Sequence, residues 1–258
     1  MNKTYVGEGN VQLIAGGGKI YTDIAARFTR SEKSLNEIIS SPYDSELVKK
    51  IVDSGHKAAV EFDYFIFGVE GYSRVTETQL VRKRLASYLI KSGRPNKNGK
   101  RSFDMVIPKS IESCVAKVFI HDDYFFVSPN DILSIVEQWY NSGIEQGYKE
   151  EELRYLKPQA TEFKAIIGMN AHALMDWFQI RCCQNAQTEI RDMANKMLKL
   201  CKDVAPDLFK DAGASCKVLG YCPENNMQNE NCQNKIVIKD KALEILNQYK
   251  KTNNLENK

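Results

Sequence analysis

The sequence predicts a protein of mixed helix and strand, folded as one compact domain with long excursions. Three observations lead there. A chain of 258 residues is long for one domain and short for two. Apolar stretches with strand chemistry at 20–28, 62–69 and 163–169 alternate with segments of helical periodicity. Residues 170–201 run without a single Gly or Pro, as a long central helix would.

Taken in order, residues 20–28 are apolar and close at Arg30-Ser31, which predicts a strand entering a polar turn. Residues 45–54 place Leu47, Ile51 and Val52 on one helical face behind a Ser cap. Aromatic and β-branched residues fill 62–69, a strand that closes at Gly71. From 73 to 90, Val75, Leu80, Val81, Leu85 and Leu89 fall at helical spacing. One helix is therefore expected there, ending near Gly93-Arg94-Pro95 because proline disfavours helix in the residue before it. A polar loop at 96–102 follows. Residues 130–147 read as an amphipathic helix with Ile132, Leu133, Ile135, Val136 and Trp139 inward, and 163–169 as a buried strand. The single helix over 170–201 would form the spine of the core. A loop at 216–232, a helix at 237–250 and eight disordered residues complete the chain, which divides into a domain over 1–235 and a C-terminal helix with tail over 236–258. No internal repeat is present.

Composition bounds the function. Apolar residues make up 43% and charged residues 27%, as in an ordinary soluble protein, and no apolar run reaches the roughly 18 residues of a membrane span. No apolar signal stretch opens the chain, so a cytoplasmic protein without membrane partners is expected. A net charge of +3 is far from that of a general nucleic-acid binder, and the basic residues gather between Arg82 and Arg101. Seven cysteines argue for reduced thiols rather than a disulfide framework. Cys216, Cys222 and Cys232, which Cys182 or Cys183 could join as a fourth ligand, lack the close pairs of most zinc sites; plain thiols and a metal site both fit, and no metal is assigned.

On a continuous helix, Gln79, Arg82 and Lys83 share a face, so amide and guanidinium donors would converge. Beyond it Ser92 offers a hydroxyl, Gly93 lets backbone approach a ligand, and Arg94 offers a planar fork matched to phosphate oxygens. A phosphate cradle and a solvated basic face both fit this run. Asn170, Arg181 and Asn185 are spaced to project from one side of a long helix otherwise carrying Leu174, Trp177, Phe178 and Ile180. That stripe fits an anion contact or an interhelical salt bridge. His56 precedes Glu61 by five residues and has the best polar company of the three histidines. No Cys has a His near it in sequence, and no Gly-rich phosphate loop follows a strand.

Gln79-x-x-Arg82-x-Arg84, with seven residues before Ser92 and Arg94 two beyond, resembles the signature of flavin-dependent thymidylate synthases: arginine, histidine, arginine, seven residues, serine. Agreement runs on through Ala25-Ala26-Arg27, Gly55-His56 with Glu61, Phe65-x-Phe67, Ser73-Arg74, Arg154 with Pro158, Asn170, Arg181 and Ala186-Gln187-x-Glu189-Ile190-Arg191, covering about 20–225. The resemblance implies an α+β fold, a mixed sheet with long helices, known as the thymidylate synthase-complementing protein fold. It also implies a homotetramer with active sites between subunits that bind FAD, NADPH, methylenetetrahydrofolate and the nucleotide dUMP. By position, Ser92, Gly93 and Arg94 would hold the nucleotide phosphate with Gln79, Arg82 and Lys164 beside them. Arg191 would contact the uracil ring, making Arg191 and Ser92 the catalytic pair, because a fixed positive charge favours the deprotonated base. His56, Glu61, Arg82, Lys83, Arg84, Asn170, Arg181 and Asn185 would face the flavin.

The chain departs from the family pattern at Lys83 for His, Leu89 and Ile90 for Asn and Glu, Phe62 for the His after Glu, Ala58 for Ser or Thr, and Lys164 for Arg. Methylation of dUMP is the first functional reading. A flavoprotein acting on another pyrimidine nucleotide is the second, and a non-catalytic nucleic-acid-binding module using Arg82 to Arg101 is the third.

Overall fold

The structure, a computed structural model, describes residues 3–18, 20–91, 103–224, 232 and 239–252. Strands β1 (Lys3–Tyr5) and β2 (Asn10–Ala15) precede α1 (Thr22–Phe28), α2 (Leu35–Ser40) and α3 (Ser45–Asp53). A 3-10 turn (Lys57–Phe62) leads into β3 (Tyr64–Ser73), α4 (Arg74–Leu80), β4 (Ser87–Ile90) and β5 (Met105–Ile107). Then come β6 (Ala116–Ile120), β7 (Asp123–Val127), α5 (Pro129–Glu145), α6 (Glu150–Leu153), a 3-10 turn (Arg154–Leu156) and β8 (Glu162–Asn170). Helices α7 (Ala171–Arg181), α8 (Thr188–Val204), α9 (Pro206–Phe209), α10 (Ser215–Leu219) and α11 (Lys239–Thr252) finish the chain. The mixed helix-and-strand class holds, with a four-stranded sheet in the order β2-β3-β8-β4, a parallel pair β1-β5 and an antiparallel hairpin β6-β7. Among the described residues, no helix is long and apolar enough to cross a membrane.

The chain divides into two compact units, Met1–Gln12 with Phe67–Ile167, and Leu13–Ile66 with Gly168–Lys258. In the first, Phe103, Met105, Ile107, Leu133, Tyr140 and Leu153 form a buried cluster in which the Phe103 and Tyr140 rings meet edge to face at 4.8 Å. In the second, Phe209 packs its ring against Phe65 at 5.3 Å and Phe178 at 6.2 Å, all three buried.

The strands expected at 62–69 and 163–169 and the helices expected at 45–54, 130–147 and 237–250 are present with shifted ends. β3 runs on through Gly71, whose φ of +74° suits glycine and where a Cβ would lie 3.1 Å from the Gly9 Cα. α3 is capped by the Asp44 carboxylate, which accepts from Leu47 N, and it buries Val48 and Ile51 rather than Leu47 and Val52. α5 buries Leu133, Tyr140 and Gly143, while Ile132, Ile135 and Trp139, expected inward, are exposed. α10 puts Cys216 in a helix where a loop was expected, and 225–231 lie outside the described residues. Of the tail expected to be disordered, 251–252 are helical and 253–258 lie outside the described residues.

Three larger expectations fail, each for a traceable reason. The stretch 20–28 carries α1 from Thr22, not a strand, because the buried Asp63 carboxylate accepts from Tyr21 N at 2.7 Å, Thr22 N at 3.0 Å and Thr22 Oγ1 at 2.6 Å. This cap serves the orphan amides of the helix start from 41 residues away. The helix expected over 73–90 stops at Leu80. Tyr88 Oη donates to Leu80 O at 2.8 Å and Lys83 O at 3.0 Å, and β4 alternates exposed and half-buried positions. Leu85 and Leu89, 73% and 71% exposed, fall at helical spacing without facing a core. The single helix over 170–201 is two. Cys182 to Gln187 separate α7 from α8, with Gln187 Oε1 accepting from Ile190 N at 3.0 Å to start the second.

Candidate functional site

In the first unit, Gln79 is half-buried near the end of α4, and Arg82, Lys83 and Arg84 follow that end. The expected shared helical face therefore does not form: Arg82 and Arg84 are exposed in the turn and Lys83 is half-buried. Ser92, Gly93 and Arg94 lie outside the described residues, as does the loop at 96–102. The chain enters them from Lys91, whose backbone N–H donates to Lys164 O at 2.8 Å and docks the end of β4 on β8. The Lys164 ammonium itself lies 2.5 Å from the Glu70 carboxylate, and this hydrogen bond raises its pKa above the ordinary lysine value.

Beside Lys91 opens a cleft of about 680 Å³, within the range of small-molecule sites. Its lining includes Arg74, Glu77, Ile90, Lys91, Arg154 and Lys157. Four of these are cationic, and the one carboxylate, Glu77, is ion-paired with Arg74. Such a wall attracts an anion. Arg154 and Lys157 were not among the residues assigned to the site from sequence; the signal that could have found them was two basic residues just before Pro158.

In the second unit, His56 is exposed at the start of the 3-10 turn that carries Glu61. Glu61 Oε1 lies 3.0 Å from His172 Nδ1, His172 Nε2 lies 3.5 Å from Asp176 Oδ2, and Lys57 Nζ lies 3.0 Å from Asp176 Oδ1. A chain of polar contacts thus runs from that turn to the first turns of α7. His172 is a further residue that sequence reasoning missed, since its partner Glu61 is 111 residues away. Asn170 caps α7, its Oδ1 accepting from Ala173 N at 2.8 Å. Arg181 ends the same helix, about 16 Å along the axis at 1.5 Å per residue, so the two are not brought together. Asn185 lies in the break after α7 and donates to Glu224 Oε2 at 2.6 Å. Arg191, one turn into α8, donates through Nη1 to Gln184 O at 2.6 Å and Ala186 O at 3.2 Å, bracing that break.

Three of the thiols are poor nucleophiles: burial pushes Cys182 up to about 12 and also raises Cys183 and Cys201. Among the described residues, no three of His, Cys, Asp and Glu stand so as to hold a metal ion. Of the residues expected to face the flavin, Glu61 meets His172 near the start of α7, while Arg181 ends that helix and Asn185 lies beyond it. Their imidazole, guanidinium and amide groups are of the kind that a cofactor bearing pyrophosphate and ring carbonyls takes.

The family described as thymidylate synthase complementing protein matches residues 17–207. The flavin-dependent thymidylate synthase of Geobacter sulfurreducens is 34% identical, covering 79% of this chain and 85% of its own. That of Nitratidesulfovibrio vulgaris is 40% identical, covering 69% and 71%, and that of Saccharolobus solfataricus 33%, covering 93% and 89%. In three dimensions the chain is similar to a UMP/dUMP methylase from Streptomyces cacaoi bound with 5-Br dUMP, with a TM-score of 0.63 over 81% of this chain and 96% of that one, at 18% identity. At that identity the likeness speaks to fold.

Proposed function

The chain belongs to the flavin-dependent thymidylate synthase family, is an enzyme of the methyltransferase class, and from that premise we propose that it methylates dUMP to dTMP in the cytoplasm with FAD, NADPH and methylenetetrahydrofolate. The observation that carries the reading is the cationic cleft of about 680 Å³ at Lys91, the residue before the Ser92-Gly93-Arg94 run. Arg154 there joins Gln79, Arg82, Ser92, Gly93 and Arg94 in holding the nucleotide phosphate. Arg191 steadies the charge of the uracil ring, which dispenses with a thiolate nucleophile. That fits the raised thiols. When bound, the flavin supplies the electrons that convert a folate methylene unit to a methyl group; His56, Glu61, Arg82, Lys83, Arg84, Asn170, Arg181 and Asn185 would hold it.

Homotetramer assembly is part of the same proposal. Its support is the exposed apolar surface of β6 and β7, carrying Phe119, Tyr124, Phe125 and Phe126, which water does not favour. A second reading, a different pyrimidine nucleotide as substrate, rests on Ile90, which lines the cleft and offers it no hydrogen bond. Stopped-flow reduction of the bound flavin by NADPH, run across a panel of pyrimidine nucleotides, separates the two. dUMP should accelerate reduction most, and a clear preference for another nucleotide would establish the second reading.

A further inference from the structure

Resting on that nucleotide reading, we propose that Lys157 is a specificity-determining residue of this chain: its ammonium, held over two core rings at the edge of a cleft that Lys157 itself lines, engages the phosphate and separates nucleotide from nucleoside. Lys157 Nζ stands 4.2 Å from the centroid of the Phe103 ring and 4.6 Å from that of Tyr140. Both rings are buried in the core cluster of the first unit and packed against each other, so the cradle is fixed by the core. A ring face attracts the cation through its quadrupole. Lys157 is half-buried and lines the cleft that Arg74, Lys91 and Arg154 also line. Gathering these cations in one wall is unfavourable by itself and becomes favourable once a dianion lies between them. A phosphate monoester, with a second pKa of about 6, is that dianion at neutral pH.

The surroundings also make the contact depend on pH. Burial lowers the Lys157 pKa; Glu150 on α6 opposes this, and Arg74 on α4 and Arg154 in the 3-10 turn add to it. Tyr140 on α5 faces the ammonium as well, and Glu77, Lys91 and Tyr155 line the same cleft. A bound phosphate favours the charged amine, so phosphate affinity should fall with rising pH below the ordinary lysine range.

The test is calorimetry of the full chain with dUMP and with deoxyuridine between pH 7 and 10. Lys157→Met, which keeps the apolar stem, should weaken dUMP roughly tenfold, the usual scale for a charged hydrogen bond, and leave deoxyuridine unchanged. Lys157→Arg should restore the preference for the nucleotide and remove the alkaline fall. Equal dUMP affinity in Lys157→Met and the parent across this pH range would overturn the proposal. An arm independent of dUMP uses inorganic phosphate and 13C-methylated lysines, with the Lys157 signal identified by its loss in Lys157→Arg. Phosphate should move that signal to a higher pKa. If it does while dUMP fails to bind, the substrate reading falls and the role of Lys157 stands; an unmoved signal refutes that role.

Discussion

Arg191 carries the heaviest chemical assignment, and in the structure its Nη1 serves the carbonyls of Gln184 and Ala186. One arm of the guanidinium therefore holds the break between α7 and α8, leaving contact with a pyrimidine ring to the rest of a planar five-donor group. Lysine keeps the charge and loses the fork, so Arg191→Lys should lower kcat by more than it raises the dUMP Kd. Unchanged kcat would remove Arg191 from the reaction and leave it as a brace. The polar and basic residues proposed for the site are legible at this scale, because Gln79, Arg82, Arg84 and the residues from Ser92 to Arg94 keep a recognisable spacing. Arg154, Lys157 and His172 were not. Their meaning comes from a cleft wall, from the Phe103 and Tyr140 rings, and from a carboxylate 111 residues away, none of which is adjacent in sequence.

At the scale of elements, side-chain hydrogen bonds from outside the helix, one long-range and one local, decided two outcomes that periodicity could not. Asp63 starts α1, so Asp63→Ala would leave the buried amide and hydroxyl of Thr22 and the part-buried amide of Tyr21 unserved and should destabilise the fold by about 1.5–3 kcal/mol, read from urea unfolding. A loss below 0.5 kcal/mol, the ordinary scatter of surface changes, would show that α1 forms without this cap. Tyr88 closes α4, and burial pushes its hydroxyl up to about 12 from an ordinary value of 10.0. The folded state thus holds this proton where the unfolded chain has released it. Its stabilising share is complete below pH 10 and is lost as pH rises toward 12. Comparing the parent with Tyr88→Phe, the fall in stability over that window should be shallower in the variant, measured by denaturant midpoints; identical slopes would count against the buried hydroxyl. Strands β3 and β8 were legible because their β-branched and aromatic runs are buried on the pattern that strands require. The break between α7 and α8 was not, because side chains of Gln187 and Arg191 hold it rather than Gly or Pro.

For the whole molecule, the sequence carried the class and the family, since 17–207 match as one stretch, while the faces left uncovered were visible only in the structure. Ile132, Ile135 and Trp139 of α5 were expected in the core and are exposed, as are Phe125 and Phe126 of the hairpin. Helical periodicity reports that a face is apolar, not which surface covers it. If these faces meet other subunits, Phe126→Asp, at a position 72% exposed, should lower the mass found by light scattering without altering helix content. An unchanged tetramer would place the interface elsewhere, and a parent monomer would refute the assembly. The central claim is methylation of dUMP. Its most direct test is mass spectrometry of the nucleotide after incubating the flavin-loaded chain anaerobically with dUMP, methylenetetrahydrofolate and NADPH. The account predicts dTMP, with its methyl carbon taken from labelled folate and its formation dependent on NADPH. Folded, flavin-bound protein that yields no dTMP under these conditions would contradict it.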